Sequence, residues 1–401
     1  MKLLLENWRK FVALHEAVNP ATIKKIQNVI KRAGGVSYIT GGAVRDSLIP
    51  GMPESKDVDF IVTGLPLDKI AKVLSPLGKV DQVGAAFGVV VANIDGDDFD
   101  VAIPRTGETK TGEKHTEFDV TTDHTAPVES DLERRDFTMN AMAKDSEGNI
   151  IDLFGGKKDI ESKIIRAVGD PEERFKEDPL RMLRALQFAV RFGFTIEPKT
   201  AKAIKKLAGE FKTISGERIL SEFKKAWTKG KRDAAQFIKL LKELGIGDTL
   251  FGGDFEPQSI KIDGDINDLV NGNFVSFFLS GGDPSVMKPT NDMKKHLALA
   301  KAAMSGKQEA WEYGGRDKDK LPLVAKILKS FDKEVATKIE KALMFPMTPK
   351  ELAIDGRELM SLGLKGPQIG QTQQEILRAI HDEEIKNEPE DIEQFIRNKI
   401  Q

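Results

Sequence analysis

Two aspartates that alternate with apolar residues in one short run constrain this chain more than any other feature. The run is Asp57-Val58-Asp59-Phe60-Ile61-Val62. Alternate residues of a β-strand share a face, so Asp57 and Asp59 would point the same way while the residues between and after them enter a core. Two neighbouring carboxylates repel each other unless a cation lies between them, and Mg²⁺ prefers such oxygen ligands. The run therefore predicts a metal site on a sheet; the alternative is a sheet end with solvated acids.

A third acidic residue could belong to the same site. Asp100 lies between Phe99 and Val101 in a second alternating run, which we expect to form a strand next to the first. Its carboxylate would then complete a set of three acids, of which Asp57 and Asp59 are the predicted metal ligands.

A glycine-rich turn precedes the aspartates by about a dozen residues. Gly41-Gly42-Ala43-Val44-Arg45-Asp46 follows the apolar run Ser37–Thr40. Two glycines between a strand and a helix let backbone amides approach a triphosphate at the helix N-terminus, where Arg45 would supply a guanidinium. Gly41, Gly42 and Arg45 are therefore predicted to bind a nucleotide. The alternative is a tight turn in which Arg45 forms a structural ion pair.

Periodicity divides the chain into a mixed N-terminal part and a helical remainder. The α/β pattern runs from Val36 to about Ile151, and apolar residues at helical spacing dominate after Asp170. Gly245–Asp283, rich in Gly, Asp and Asn, is expected to form loops or an irregular insert. The predicted strands and helices are Ser37–Thr40, Val58–Val62, Phe87–Ile94, Asp98–Ala102 and Asn140–Ala143, and Leu67–Ser75, Glu177–Phe192, Ala201–Ala208, Gly216–Thr228 and Asp233–Leu244.

Composition sets further limits. The 401 residues carry a net charge of -2 and no cysteine, which removes thiolate chemistry and is compatible with the reducing cytoplasm. The charge gives no global signature of nucleic-acid binding, so contact with RNA must come from local basic clusters. No apolar run is long enough to cross a membrane, and Met1–Ala17 is predicted to form a short amphipathic helix.

Further motifs follow the glycine-rich turn and the paired aspartates. They are Asp131–Ala141, Ile151–Gly156, Glu177–Arg184, Ser215–Ile219, Leu352–Met360 and Gly366–Gly370. In this order the motifs resemble those of the class II tRNA nucleotidyltransferases and bacterial poly(A) polymerases, within the superfamily that includes DNA polymerase beta. The similarity covers residues 24 to 395 and thins between 245 and 345.

The resemblance implies an α/β head with a mixed sheet, like that of polymerase beta, followed by an all-α neck, body and tail. We expect an N-terminal helical segment at 1–35, the catalytic head at 36–150, a neck that recognises the nucleotide base at 151–230, a body at 231–345 and an RNA-binding tail at 346–401.

The resemblance also assigns roles to the neck motif. Asp178 and Arg181 match the pair that reads the edge of the incoming base, so that the protein itself acts as template. Arg184 would face the triphosphate or the base-reading pair. Gln187 occupies a position where many relatives carry another arginine, so a phosphate contact is weakened or supplied by Arg191.

In the head, the resemblance gives Arg134, Arg135 and Asp136 a place beside the ribose and phosphates. Arg135 would make the direct nucleotide contact, and Asp136 would either orient the arginines or meet the ribose hydroxyl. Arg105–Phe118 resembles the mobile loop that the family uses in switching from C to A addition; a plain surface loop is the alternative.

The function that the resemblance implies is addition of C, C and A to the tRNA 3′ end from CTP and ATP, with two Mg²⁺ ions and release of pyrophosphate, in the cytoplasm and without an obligate protein partner. The sequence leaves open a poly(A) polymerase or an enzyme limited to the CC or the A step. A catalytically silent RNA-binding protein is disfavoured, because adjacent carboxylates repel RNA phosphates. A small-molecule nucleotidyltransferase would not need so long a helical second half.

Overall fold

The computed structural model describes residues 18–400 except 54, 56, 83, 111–117, 230–233, 253–256, 259–261, 263, 280, 315 and 316. The chain folds as two compact units. The first is Met1–Glu222 with Leu240–Leu250, and the second is Phe223–Lys239 with Phe251–Gln401. The finer division into head, neck, body and tail stays a prediction, and the amphipathic helix predicted at Met1–Ala17 lies outside the described residues.

Seven strands of the first unit form one mixed sheet, as expected for the head. These strands are β1 (Val36–Thr40), β2 (Asp59–Thr63), β3 (Gly78–Asp81), β4 (Val89–Ile94), β5 (Asp97–Ala102), β8 (Met142–Lys144) and β9 (Ile150–Asp152). Their order is β3-β4-β5-β2-β1-β8-β9, in which β2 and β5 run parallel and the other neighbours run antiparallel. Two separate strand pairs are β6 (Arg105–Lys110) with β7 (Phe118–Thr122) and β10 (Ile164–Ile165) with β11 (Thr195–Ile196).

Alternation along the strands explains which face of the sheet is buried. Phe60, Val62, Phe99 and Val101 are all 0% exposed and belong to the main core of the head, as the apolar periodicity predicts. The strand predicted at Asn140–Ala143 begins two residues later, as β8, because Thr138–Asn140 form a short 3₁₀ turn. The other face carries Asp59 and Asp100 next to a smaller apolar cluster that contains Ile61.

The predicted loop Arg105–Phe118 is only partly a loop. Its two ends are the paired strands β6 and β7, an antiparallel hairpin with an irregularity between Arg105 and Gly107. Residues 111–117 lie outside the described residues. Thr106 and Thr109, like other β-branched residues, favour extended backbone, a propensity that the glycines and charges of this segment masked.

Helices of the first 207 residues cover the sheet and continue from it. They are α1 (Pro20–Arg32), α2 (Gly42–Leu48), α3 (Leu67–Leu74), α4 (Val128–Glu133), α5 (Gly156–Glu161), α6 (Pro171–Glu177), α7 (Leu180–Phe192) and α8 (Pro198–Leu207). The single helix predicted over Glu177–Phe192 is two, because Asp178 has extended backbone and the next residue is proline. Gly193 ends α7 with a left-handed φ of 70°.

The remainder of the described chain is helical, as predicted. The helices are α9 (Gly216–Lys229), α10 (Ala234–Glu243), α11 (Ile246–Phe251), α12 (Ile266–Leu279), α13 (Asn291–Ser305), α14 (Leu321–Leu328), α15 (Lys333–Ala342), α16 (Gly356–Ser361), α17 (Pro367–His381) and α18 (Pro389–Ile400). No helix in the described parts of the chain is both long and apolar enough to cross a membrane.

The expectation of loops over Gly245–Asp283 is wrong, since α11 and α12 lie there. Helix α12 is buried nearly all round, and its Phe277 packs edge-on against Phe223 at 5.4 Å between ring centroids. Its polar residues, which argued for a loop, are satisfied inside the second unit: Asn271 Nδ2 donates to Asp292 Oδ2 at 2.7 Å, and Ser276 Oγ donates to the Gln258 carbonyl at 2.9 Å. Buried polar groups with partners are compatible with a core helix.

Candidate active site

Parallel pairing of β2 with β5 brings two of the predicted acids together. Phe60 lies opposite Val101 in the register, so Asp59 and Asp100, each one residue earlier, are neighbours on the opposite, solvent-accessible face. Asp57 lies in the exposed segment just before β2, where Ser55 Oγ donates to its carbonyl oxygen at 3.0 Å. Asp59 and Asp100 thus lie side by side on two central strands of the sheet, and Asp57 lies in the segment that leads into β2.

The electrostatics of Asp59 show how closely the acids interact. Its pKa is raised, first because the surrounding protein excludes solvent from the carboxylate, and then because Asp100 and Asp57 place negative charge nearby. Arg135 opposes this shift of the pKa. Within the described residues no group of three or more His, Cys, Asp or Glu side chains is arranged to hold a metal ion. A carboxylate cluster of this kind nevertheless fits a divalent cation that completes its shell with substrate phosphate oxygens.

Asp59 and Asp100 line a cleft of about 550 Å³ in the first unit, and Asp57 is not part of that lining. The same lining includes arginines and acids of the later motifs. The residues that line the cleft are Thr40, Asp59, Phe60, Ile61, Val89, Asp100, Ala102, Arg105, Asp131, Arg134, Arg135, Glu177, Asp178, Arg181 and Arg218. Of the predicted site residues, Asp59, Asp100, Arg134, Arg135, Asp178 and Arg181 are therefore brought together.

Arg135 is fixed in the cleft wall by several acceptors. Its Nη2 donates to Thr40 Oγ1 at 2.9 Å and to Asp131 Oδ2 at 3.0 Å, and its Nη1 donates to the Asn140 carbonyl at 3.2 Å. Gly41 leaves room for this guanidinium: a Cβ at position 41 would lie 2.7 Å from Arg135 Nη1, and the backbone there has a φ of 67°. Gly41, which was predicted to let the backbone approach a phosphate, is thus also needed to leave room for the Arg135 side chain.

The structure does not bring Arg45 into the cleft wall. The residue is 4% exposed, its Nε donates to Asp46 Oδ1 at 2.7 Å, and its Nη1 donates to Asn140 Oδ1 at 2.7 Å. Its guanidinium also lies 4.8 Å from the ring centroid of Phe192. Arg45 thus makes the structural ion pair that was the alternative, which holds the turn against α7, and its contact with a triphosphate stays a prediction.

Asp136 and Arg184 also lie beside the cleft rather than in its lining. Arg184 Nε donates to Asp136 Oδ2 at 2.8 Å, and Asn140 Nδ2 donates to Asp136 Oδ1 at 2.9 Å. Burial alone would raise the pKa of Asp136, but the charge of Arg184 and these two donors outweigh it, so the pKa is lowered. Of the two roles expected for Asp136, the contacts favour orienting an arginine over meeting a ribose hydroxyl.

Gln187 is 1% exposed on α7, and its Nε2 has no hydrogen-bond partner among the described residues. Arg191 pairs with Asp46 at 3.4 Å and does not line the cleft. Neither residue therefore supplies the extra phosphate contact considered from the sequence.

The predicted base-reading pair lies in the cleft wall, with each member held by protein groups. Asp178 Oδ1 accepts from the Leu180 amide at 3.1 Å, and its Oδ2 accepts from Arg218 Nη2 at 2.7 Å. Arg181 Nη1 donates to Glu177 Oε2 at 2.6 Å, and its Nη2 donates to the Arg134 carbonyl at 3.0 Å. These contacts fix the orientation of both side chains within the first unit.

The sequence analysis assigned no role to Arg218, although it noted the segment Ser215–Ile219 that contains this residue. The residue lies in the first turn of α9, where the helix dipole favours acids over cations. An arginine in that position must find a carboxylate elsewhere in the fold, and this electrostatic mismatch was the available signal. Glu177, Asp131, Thr40 and Arg105 also line the cleft without having been assigned a role.

The mixed sheet with acids on adjacent strands, facing arginines from the following motifs, defines a nucleotidyltransferase of the polymerase-beta-like class. Residues 37–166 match the family described as "Poly A polymerase head domain", and residues 193–255 match "Probable RNA and SrmB- binding site of polymerase A". The chain is 30% identical to the CCA-adding enzyme of Lactobacillus helveticus over 93% of its own length and 96% of the relative's. It belongs to the family of CCA-adding enzymes.

Solved structures agree with this membership. The Bacillus stearothermophilus CCA-adding enzyme, solved in complex with CTP, superposes with a TM-score of 0.72 at 28% identity, covering 95% of this chain and 98% of that one. The Thermotoga maritima CCA-adding enzyme, complexed with tRNA_CCA, has a TM-score of 0.69 at 21% identity, covering 96% and 97%, a similarity of fold. The fold class predicted from the sequence is thereby confirmed.

Proposed function

We propose that this chain adds C, C and A to the 3′ end of tRNA, using CTP and ATP. The observation that carries the proposal is a single cleft of about 550 Å³ whose lining includes Asp59, Asp100 and Arg135 together with the pair Asp178 and Arg181. An acidic centre for transfer and a donor–acceptor pair for a base are the two components that a template-independent polymerase needs. The family, and the CTP, ATP and tRNA in the names of solved relatives, support the same activity.

Asp57 and Asp59 would hold the divalent cation that CCA-adding enzymes generally use, and Asp100 would lie beside it. We infer Mg²⁺, because it combines one or two carboxylates with substrate phosphate oxygens. When bound, the metal supplies positive charge that activates the 3′ hydroxyl and stabilises the pyrophosphate leaving group. Arg135, fixed by Thr40 and Asp131, would bind the triphosphate next to Asp59, whose carboxylate its charge already influences.

Asp178 and Arg181 would choose the base. Cytosine and adenine each present an amino group next to a ring-nitrogen acceptor, so a carboxylate can accept from the first while a guanidinium donates to the second. Uracil and guanine present a carbonyl and a ring N–H at these positions, which would place acceptor against acceptor at Asp178 and donor against donor at Arg181. Each lost pairing costs about 1 to 3 kcal/mol, enough for discrimination between the two kinds of base.

The principal rival is a poly(A) polymerase or an enzyme limited to the CC or the A step, since all would share this cleft. A silent RNA-binding protein is the rival from another class. Mutual repulsion of Asp57, Asp59 and Asp100 argues against it, because binding alone gains nothing from acids that repel phosphates. We also infer action in the cytoplasm, where tRNA is processed, without an obligate protein partner.

The decisive experiment supplies purified protein with Mg²⁺ and a tRNA transcript that ends at the discriminator base. The four labelled nucleoside triphosphates are added singly and in pairs, and product length is measured on a gel. Growth by three nucleotides, only with CTP and ATP together, is expected. Open-ended growth on ATP would identify a poly(A) polymerase, and growth by two on CTP that is not extended when ATP is added would identify a CC-adding enzyme. Absence of growth here, with growth by one on a transcript that already ends in CC, would identify an A-adding enzyme. Absence of growth on both transcripts would favour the binding protein.

A further inference from the structure

The side chain of Arg174 lies behind the cleft wall, beside the proposed base-reading residue Arg181. Arg174 belongs to α6 and precedes Glu177, the last residue of that helix, by three positions. Its side chain is 14% exposed, and it is not among the described residues that line the cleft. The proposed activity therefore gives this arginine no direct contact with a substrate.

Arg174 and Arg181 share one oxygen of Glu177. Nη1 of Arg174 donates to Glu177 Oε2 at 3.1 Å, and Nη1 of Arg181 donates to the same oxygen at 2.6 Å. The backbone carbonyl of Arg174 also accepts from Arg181 Nη1, at 3.0 Å. The side chain of Glu177 is 44% exposed, so without a second guanidinium it would be free to sample other rotamers. Arg174 thus restricts the acceptor that orients Arg181.

The environment of Arg174 is unfavourable for a cation. Burial is the largest effect and lowers the pKa of its guanidinium, the charge of Glu177 opposes this, and the charges of Arg181 and Arg134 lower the pKa further. Its Nε is buried and has no hydrogen-bond partner in the described part of the chain. Packing alone would favour an apolar side chain at such a position. A residue that is unfavourable for local stability is typical of a functional site.

We propose that Arg174 is a positioning residue for the choice of base, an inference that rests on the base-reading role proposed for Arg181. By holding Glu177 in place, Arg174 fixes the direction of the Arg181 guanidinium, which would donate to the ring nitrogen of cytosine or adenine. Because Arg174 also shares the Glu177 oxygen, Arg181 keeps more of its charge for the base. Loss of Arg174 lets Glu177 and Arg181 reorient, and the discrimination between a ring nitrogen and a ring N–H weakens.

Three variants of the full-length chain separate positioning from packing. Arg174→Met keeps an unbranched side chain and removes its charge and its donors. Arg174→Lys restores the charge and a donor to Glu177. Lys176→Met is the control, because it makes the same apolar change at an exposed position of α6 that is not part of the cleft lining. Titration calorimetry with Mg²⁺ gives the Kd of each of the four nucleoside triphosphates, and urea unfolding gives the stability.

In Arg174→Met, the ratio of the Kd of UTP to the Kd of CTP should fall by at least about fivefold, as expected for the loss of one pairing. The urea midpoint should equal or exceed that of the unmodified chain, because a cation leaves a crowded and buried position while Glu177 keeps Arg181 as its partner. Arg174→Lys should recover most of the ratio, and Lys176→Met should leave it unchanged.

An unchanged ratio in Arg174→Met would overturn the inference. A lower urea midpoint with equal weakening of all four nucleotides would also overturn it, because Arg174 would then be a structural residue. If the unmodified chain binds the four nucleotides equally, the base-reading pair Asp178 and Arg181 is itself wrong. That result would overturn this part of the proposed function and the inference with it, and it is distinguished from the first two results because it appears before any substitution.

Discussion

Arg218 donates a 2.7 Å hydrogen bond to Oδ2 of Asp178, which joins the first turn of α9 to the residue that precedes α7 by two positions. The other carboxylate oxygen of Asp178 caps α7 through the Leu180 amide. A carboxylate held at both oxygens has a fixed plane, and a fixed plane is what recognition of a base edge requires. Arg218 thereby positions a residue of the proposed base-reading pair while also lining the cleft itself.

Substitution of Arg218 should relax the choice of nucleotide. In Arg218→Gln, Asp178 keeps its cap but loses its charged partner, so kcat/KM for CTP and ATP should fall by about 10- to 100-fold and the preference over UTP and GTP should narrow. Steady-state assays with each nucleotide measure both effects. Ser221→Ala, exposed on the same helix, is the control. An unchanged ratio of the four kcat/KM values would make the ion pair purely structural.

Neutralisation of Asp59 should abolish transfer without abolishing RNA binding. Asp59→Asn keeps the shape of the side chain but removes the charge that a cation requires, and we expect kcat to fall by at least about a hundredfold. Asp57→Ala should behave alike. Asp97→Asn, at the other end of β5 and outside the cleft lining, should retain activity. Normal transfer by Asp59→Asn, or loss of tRNA binding measured by filter retention, would contradict the metal assignment.

Comparison of Gly41→Ala with Gly51→Ala should separate the effect of backbone strain from the effect of displacing Arg135. Position 41 has a φ of 67°, and an added Cβ would meet Arg135 Nη1 at 2.7 Å. Gly51 has a φ of 73° with nothing within 4 Å, so Gly51→Ala carries the strain alone. Both variants should lose about 1 to 2 kcal/mol of stability, measured by urea unfolding, but only Gly41→Ala should raise the KM for nucleotides severalfold. Equal KM values would show that Arg135 does not contact the substrate.

The second unit should lose stability in mild acid because of His381. Desolvation lowers the pKa of this imidazole below its ordinary value of 6.5, although its hydrogen bond to the Pro346 carbonyl at 2.8 Å opposes the shift. The unfolded state therefore binds the proton more readily. Stability is complete above about pH 6.5 and declines as the pH falls from there toward the folded pKa.

The stacking of His381 on Trp311, at 5.4 Å between ring centroids, provides a probe of this transition. Urea midpoints followed by tryptophan emission at pH 8.0 and pH 5.5 should differ more in the unmodified chain than in His381→Gln. Identical pH dependence of the two proteins would show that another group governs the acid response.

The strands that carry the acids could be predicted closely, because period-two alternation is a strong signal wherever one face is buried. Phe60 and Val101 fix β2 and β5 against the core, and their alternation places Asp59 and Asp100 on the other face. Helix α12 could not be predicted in the same way. Its Asn271 and Ser276 look like loop residues in sequence, and only their tertiary partners Asp292 and Gln258 show that they are buried.

The positions of the arginines were less predictable than those of the acids. A long side chain can reach several partners, and sequence spacing does not decide among them. Arg45 and Arg135 each lie within a motif that predicted a contact with the nucleotide. Arg45 pairs with the neighbouring Asp46 against the ring of Phe192, whereas Arg135 lines the cleft. Partners distant in sequence, such as Asn140 for Arg45, decide between the two outcomes.

Arg181 is anchored to Glu177, to the Arg174 carbonyl and to the Arg134 carbonyl. In a template-dependent polymerase, a changed template base affects only the copies made from that template. Under the proposed function the orientation of the Arg181 guanidinium helps to select each nucleotide. A substitution that displaces one of the groups holding this guanidinium would therefore change the sequence added to every acceptor in the cell. The error would be encoded in the enzyme itself, and only a substitution that restores the orientation of Arg181 would correct it.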